Sequence, residues 1–170
     1  MRLSKLEAAR RQLETAINLY FNNGDEASIL TLAAAAYSVI RDVNRHRGGA
    51  PMFKDLDFVR DKELLHEAKK YINRPDNFLK HGAKDPDEEL ELEPKWTEVL
   101  IWEACRKYCE MTGEQNRLML TFLLWFVAHH PELREEFLKE DISKGLTEQF
   151  EKRVLSLPLS DRQRFFAKLN

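Results

Sequence analysis

A chain of 170 residues with 43% hydrophobic side chains is long enough for one compact domain with a sizeable core and too short for two full domains. With 27 basic against 29 acidic side chains, the net charge of -2 excludes a general electrostatic attraction to nucleic acid; DNA is not an expected partner, and RNA binding would need a local patch. The longest apolar run, Leu118 to Ala128, is broken by Thr121, and the opening MRLSKLEAARR has no apolar signal core, so the expected chain is cytoplasmic with no membrane contact.

Helical periodicity runs through most of the chain and no stretch alternates as a strand would. The expected fold is therefore all-α, a single-domain bundle of about six to eight helices over residues 1–170. Ser4 with Glu7 forms a capping-box pattern, and Leu6, Ala9, Leu13, Ile17 and Tyr20 then predict a first helix over about 5–21, stopped by Asn22-Asn23-Gly24. A second is expected over about 26–44, with Ile29, Leu32, Ala33, Ala36, Tyr37, Ile40 and Val43 on its buried side and Gly48-Gly49 beyond its end. Its Ala33–Ala36 run permits a close helix crossing.

A third helix is predicted over about 61–73 through Leu64, Leu65, Ala68, Tyr71 and Ile72, ended or kinked by Pro75. Residues 74–93 then read as a polar segment joining two helical halves, about 1–73 and 94–170. Pro94 suits the first turn of a fourth helix reaching Met111, stopped by Gly113, in which Trp96, Val99, Leu100 and Glu103 recur once per turn. The stretch 114–129 is apolar on several sides, which predicts a helix that is either central or covered by a partner chain, a homodimer being the simplest such assembly. Shorter helices are expected near 131–140 and 143–156, and Ser160 with Gln163 opens a final one holding Phe165, Phe166 and Leu169.

Few residues carry recognisable chemistry. Cys105 and Cys109 match no zinc framework and read as reduced core thiols. Gly48-Gly49 lacks the following Lys-Ser or Lys-Thr of a phosphate loop, no serine sits in a nucleophile elbow, and no cofactor is expected. His129 and His130 lie side by side before Pro131, where imidazolium charge suits a helix C-terminus. His81 with Asp85 and Asp87 offers metal-ligand atom types without a diagnostic spacing, so no metal site is assigned.

What remains is an Arg followed by a His at two places: Arg74 and His81 in RPDNFLKH, and Arg41 and His46 in RDVNRH. An Arg followed after four to six residues by His, often with a polar residue after the Arg, resembles the signature of the HEPN superfamily, small all-α domains that are commonly dimeric and include metal-independent ribonucleases of toxin–antitoxin and phage-defence systems. That resemblance implies catalytic roles for Arg74 and His81, with Arg41 and His46 as the rival pair. His81 would exchange a proton with a ribose 2′-hydroxyl, and Arg74 would stabilise charge on the scissile phosphate. Lys80 and Lys84 would add phosphate contacts and Asn77 would orient a hydroxyl or base edge.

Pro75 departs from the polar residue that signature favours, and the acidic run Asp85–Glu93 would repel an RNA backbone. The block NFLKHGAKDPD, with the upstream YFNNGDEASILTLAAAAYSVIRDVN, also resembles an uncharacterised bacterial family of helical proteins for which no activity is implied. The plainest expectation is an interaction, assembly or regulatory protein. In it the 74–87 segment is a capped connection whose Asp side chains accept backbone N–H groups, or a ligand-binding loop, and the acidic run meets a basic surface on a protein partner.

Overall fold

The structure, a computed structural model, describes residues 2–83, 86–114, 116–130, 152, 156 and 161–169. Among them the chain is all-helical, as the periodicity predicts: α1 (Lys5–Phe21), α2 (Glu26–His46), α3 (Lys62–Lys80), α4 (Pro94–Thr112), α5 (Arg117–His129) and α6 (Arg162–Leu169), with a short 3-10 turn at Phe53–Asp55. The expected helices near 131–140 and 143–156 fall almost wholly outside the described residues.

Local chemistry sets the ends of these helices. The Ser4 hydroxyl accepts the Glu7 N–H at 3.1 Å to start α1, and Asp25 accepts the Ser28 N–H at 2.8 Å to start α2. Between them the chain reverses over Asn22–Asp25, with Asn23 at φ +52°. α1 and α2 form the most extensive helix pair, α2 packs on α4 as well, and its Ala33, Ala34 and Ala36 are buried, small side chains that allow close approach of neighbouring helices. Beyond α2, the Asn44 amide donates to the Ala50 carbonyl at 2.7 Å. A Cβ at position 49 would lie 1.9 Å from that same side chain, so Gly49 is required for the loop to fold back on the helix.

α4 packs on α2 and α1, and α5 on α4 and α1. Every residue of α5 from Met119 to Val127 is buried, covered by this chain itself, which decides between the two expectations for that helix: it is central. Its Phe122 and Trp125 pack edge-on against Tyr20 and Phe21 of α1 at ring separations of 5.2–6.0 Å, and Phe165 of α6 stacks on Phe21 at 5.7 Å. The helix begins at Arg117, later than 114, because the Asn116 side chain caps it by accepting the N–H groups of Leu118 and Met119, both at 3.1 Å. For the same reason α6 starts on Asp161, which accepts the Arg164 N–H at 2.9 Å.

The clearest correction concerns Pro75. α3 does not end near residue 73 but runs to Lys80, with Pro75 inside it. A proline there removes the bond to the Tyr71 carbonyl and costs about 3 kcal/mol. Ile72 and Asp76, one turn apart and both buried, anchor this part of the helix and offset that loss. Consequently residues 74–80 of the predicted polar connection 74–93 are the last two turns of a helix.

Cys105 and Cys109 are free thiols, and burial pushes Cys109 up to about 11 and Cys105 well above its ordinary value, which leaves neither reactive. Since the Phe122 ring is fully buried among four aromatic neighbours, Phe122→Ala is expected to cost about 3–5 kcal/mol in chemical denaturation. A loss below about 1 kcal/mol would show that α5 is not the packing centre.

Candidate functional site

The predicted site residues lie on different surfaces. Arg74, Asn77 and Lys80 occupy the last two turns of α3, and exposed His81 closes the helix, its N–H bonding to the Asn77 carbonyl at 2.9 Å. Arg74 and His81 are two turns apart and so rise on one side of the helix. The Arg74 guanidinium is held by Glu88, whose Oε1 accepts Nε at 3.1 Å and Nη2 at 2.7 Å. Asp87 is exposed in the turn after Pro86, while Lys84 and Asp85 lie outside the described residues. The rival pair is not brought together: five residues along α2 separate Arg41 from His46 by about 140° around the axis. Arg41 faces Asp55 at 3.9 Å and Asp42 at 3.6 Å, whereas His46 is exposed at the helix end. Among the described residues no three His, Cys, Asp or Glu side chains converge as a metal site requires.

The return of Glu88 to Arg74 also explains the acidic run. From Glu88 to Glu93 the side chains alternate: Leu90 and Leu92 are half-buried, while Glu89, Glu91 and Glu93 are exposed. The two leucines, with Ile72, Pro75 and Trp96, line a cavity of about 240 Å³.

The most unusual chemistry was not predicted. Lys54, in the loop after α2, is buried, and its ammonium donates to Asp76 Oδ2 at 2.6 Å, with Lys54 at 1% and Asp76 at 8% side-chain exposure. It lies 5.7 Å from the ring centres of both Tyr37 and Trp96. Burial pulls the lysine pKa down, and the Asp76 carboxylate opposes that shift. Tyr37 ties the loop to two helices. Its hydroxyl accepts the Lys54 N–H at 3.0 Å and donates to Glu103 Oε2 at 2.6 Å, while Glu103 Oε1 accepts the Phe53 N–H at 2.8 Å. Asp55 accepts the Met52 N–H at 2.8 Å and is bonded by Arg45. Asp76 Oδ1 and the Trp96 indole N–H have no hydrogen-bond partner in this network, nor does Arg41 Nε beside Asp55.

Some of this was visible in advance. Glu103 recurs on an apolar helical stripe, and a carboxylate there signals a buried polar partner. Asp76 follows Ile72 by one turn, but a predicted helix end at Pro75 hid the relation. Nothing in the sequence around Lys54 distinguishes it from a solvated loop lysine.

A second constellation lies where the ends of α1 and α5 meet the first turns of α4 and α6, around a cleft of about 770 Å³. There Tyr20 donates to Glu98 Oε1 at 2.7 Å and the Arg162 guanidinium covers the Tyr20 ring at 4.4 Å. His129 and His130, expected only as helix-end residues, line this cleft. The chain matches no family model, no curated protein and no solved structure.

Arg74 is 52% and Glu88 31% exposed, and an ion pair so accessible contributes about 1 kcal/mol or less. Arg74→Ala and His81→Ala should therefore each leave the denaturation free energy within about 1 kcal/mol of wild type. Assayed beside wild type on labelled RNA in excess chelator, the same variants examine the catalytic roles: cleavage lost at retained stability would support them, and cleavage surviving both changes would remove them.

Proposed function

We propose that this chain is an assembly protein that pairs with a second copy of itself through α3 and the loop preceding it. The observation that carries this reading is where the exposed apolar surface lies. Five large apolar side chains are exposed among the described residues, and four of them, Phe53 (41%), Phe58 (68%), Leu64 (60%) and Tyr71 (77%), fall between positions 53 and 71. Scattered exposed leucines need no explanation, but a concentration of aromatic and aliphatic groups in one segment does. On α3 the two exposed apolar side chains, Leu64 and Tyr71, lie seven residues apart and so on one face, the spacing of one heptad along a helix-pairing seam. No residue of α3 before Ile72 is fully buried and only Leu65 and Ala68 are half-buried, and a helical stretch of about ten residues with so little tertiary support is marginal in water. A partner helix would supply that support.

The charges favour a second copy. Asp61, Glu63 and Glu67 fall within positions 61–67, where Lys62 is the one lysine or arginine, whereas Lys69, Lys70 and Lys80 fall within positions 69–80, where Asp76 and Arg74 are taken by Lys54 and Glu88. Two such helices placed antiparallel about a two-fold axis near the middle of α3 set Glu63 and Glu67 of one copy toward Lys69 and Lys70 of the other. Light scattering should give a mass twice the 20.0 kDa of the chain at micromolar concentration. Leu64→Glu with Tyr71→Glu should reduce it to the monomer, with a loss of helical circular dichroism no larger than the first half of α3 accounts for. Glu67→Lys and Lys70→Glu should each weaken pairing and restore it when mixed, because the mixture recreates opposite charges. A wild-type chain that stays monomeric at about 100 μM, well above the dissociation constants of specific dimers, would end this reading.

A further inference from the structure

The cavity of about 240 Å³ beside α3 has apolar walls and an acidic edge. Ile72 and Pro75 of α3 and Leu90 and Leu92 of the segment 88–93 form the walls. At the edge are Glu91 and Glu93, both exposed, whose side chains make no ion pair or hydrogen bond to any described residue. Arg74, the one cation among the described residues of the lining, is committed to Glu88. Such a site suits an apolar side chain that arrives beside a positive charge. The chain itself carries that combination. Leu64 is 60% exposed, and Arg60, four positions ahead of it, is exposed without an ion pair or hydrogen bond to any described residue. The neighbouring Asp61 is taken up in capping α3, where it accepts the Leu64 N–H at 2.8 Å.

Within one molecule Leu64 cannot enter the cavity. It lies about 10 Å along α3 from Tyr71, the nearest cavity residue of that helix, and helical side chains lean toward the N-terminus, here away from the cavity. Between two copies the same residues meet. Antiparallel pairing about an axis near the middle of α3 sets position 64 of one copy across from Tyr71 of the other, and position 60 across from Pro75. Tyr71 and Pro75 both line the cavity, so the leucine of one copy comes to the cavity of the other. We propose that the cavity between α3 and segment 88–93 seats Leu64 of the second copy, with Arg60 of that copy against Glu91 and Glu93. This rests on the self-pairing proposed above and extends its surface to the acidic segment. Two-fold symmetry makes the contact twice.

Sedimentation of charge-reversed full-length chains tests this. Glu91→Arg with Glu93→Arg, and separately Arg60→Glu, should each weaken self-association by about tenfold or more, since each sets like charges together at both contacts. Mixed in equal amounts, the two variants should associate as wild type does, because both contacts of the mixed pair are then matched. Cross-linking locates the contact. Arg60→Cys mixed with Glu91→Cys should give a two-chain product with a short bismaleimide, and Arg60→Cys alone should not, its two cysteines lying about 20 Å apart along the α3 pair. Cys105 and Cys109 are buried and do not compete. A wild-type pair broken by Leu64→Glu with Tyr71→Glu but kept by the Glu91, Glu93 and Arg60 variants would overturn this inference alone, leaving the cavity to another partner or a small apolar ligand. So would a mixture that neither recovers association nor cross-links. A wild-type chain that stays monomeric would overturn it together with the self-pairing reading.

Discussion

Removing the ammonium of Lys54 from water imposes the arrangement of α3 and of the loop that joins it to α2. A buried charge of this kind costs several kcal/mol unless a counter-charge and further partners meet it. Here the counter-charge is Asp76 on α3, and the aromatic faces belong to Tyr37 on α2 and Trp96 on α4. Three helices and a loop thus converge on one nitrogen. The backbone is held as tightly as the side chain, since Tyr37 and Glu103 together fix the N–H groups of Lys54 and Phe53. The loop from 47 to 61 has little apolar burial of its own beyond Met52 and Leu56, so this polar relay is what gives it a single conformation.

The surface features follow from where that anchor sits. α3 is fastened through Ile72 and Asp76 in its second half, while the first half has no fully buried residue and leaves Leu64 and Tyr71 uncovered. An attachment at one end is what makes the other end available for pairing. The cleft belongs to a different part of the molecule. It is organised by Tyr20 and Glu98 in the way that the loop is organised by Tyr37 and Glu103, with α4 supplying both glutamates. Burial raises both phenols well above their ordinary range, so each hydroxyl stays a donor to its carboxylate.

The core was readable because one periodic signal suffices for it: the α1, α2, α4 and α5 stripes were placed to within a turn, and the breadth of the α5 stripe announced a helix covered on all sides, by this chain or by a partner. α3 was cut short because the rule for proline is local, while the anchor that overrides it, Asp76 on Lys54, joins residues 22 positions apart. The two Arg–His pairs drew notice by spacing along the chain. In space Arg74 meets Glu88 and Arg41 meets Asp55, partners that no spacing rule supplies. The cleft stayed hidden for the same reason, since its residues come from four helix ends separated by more than a hundred positions. A hydroxyl-to-carboxylate bond leaves no periodic trace beyond a glutamate on an apolar stripe, and only Glu103 gave that trace.

The central claim, that the buried Lys54–Asp76 pair seats α3 and its loop, is tested most directly by a double-mutant cycle read by chemical denaturation with amide exchange on α3. Lys54→Met and Asp76→Leu, each leaving an uncompensated buried charge, should cost about 3–5 kcal/mol singly and strip exchange protection from residues 72–80. The double variant, with both charges gone, should recover most of that stability and protection. Single losses below about 1 kcal/mol, or losses that simply add in the double variant, would contradict it.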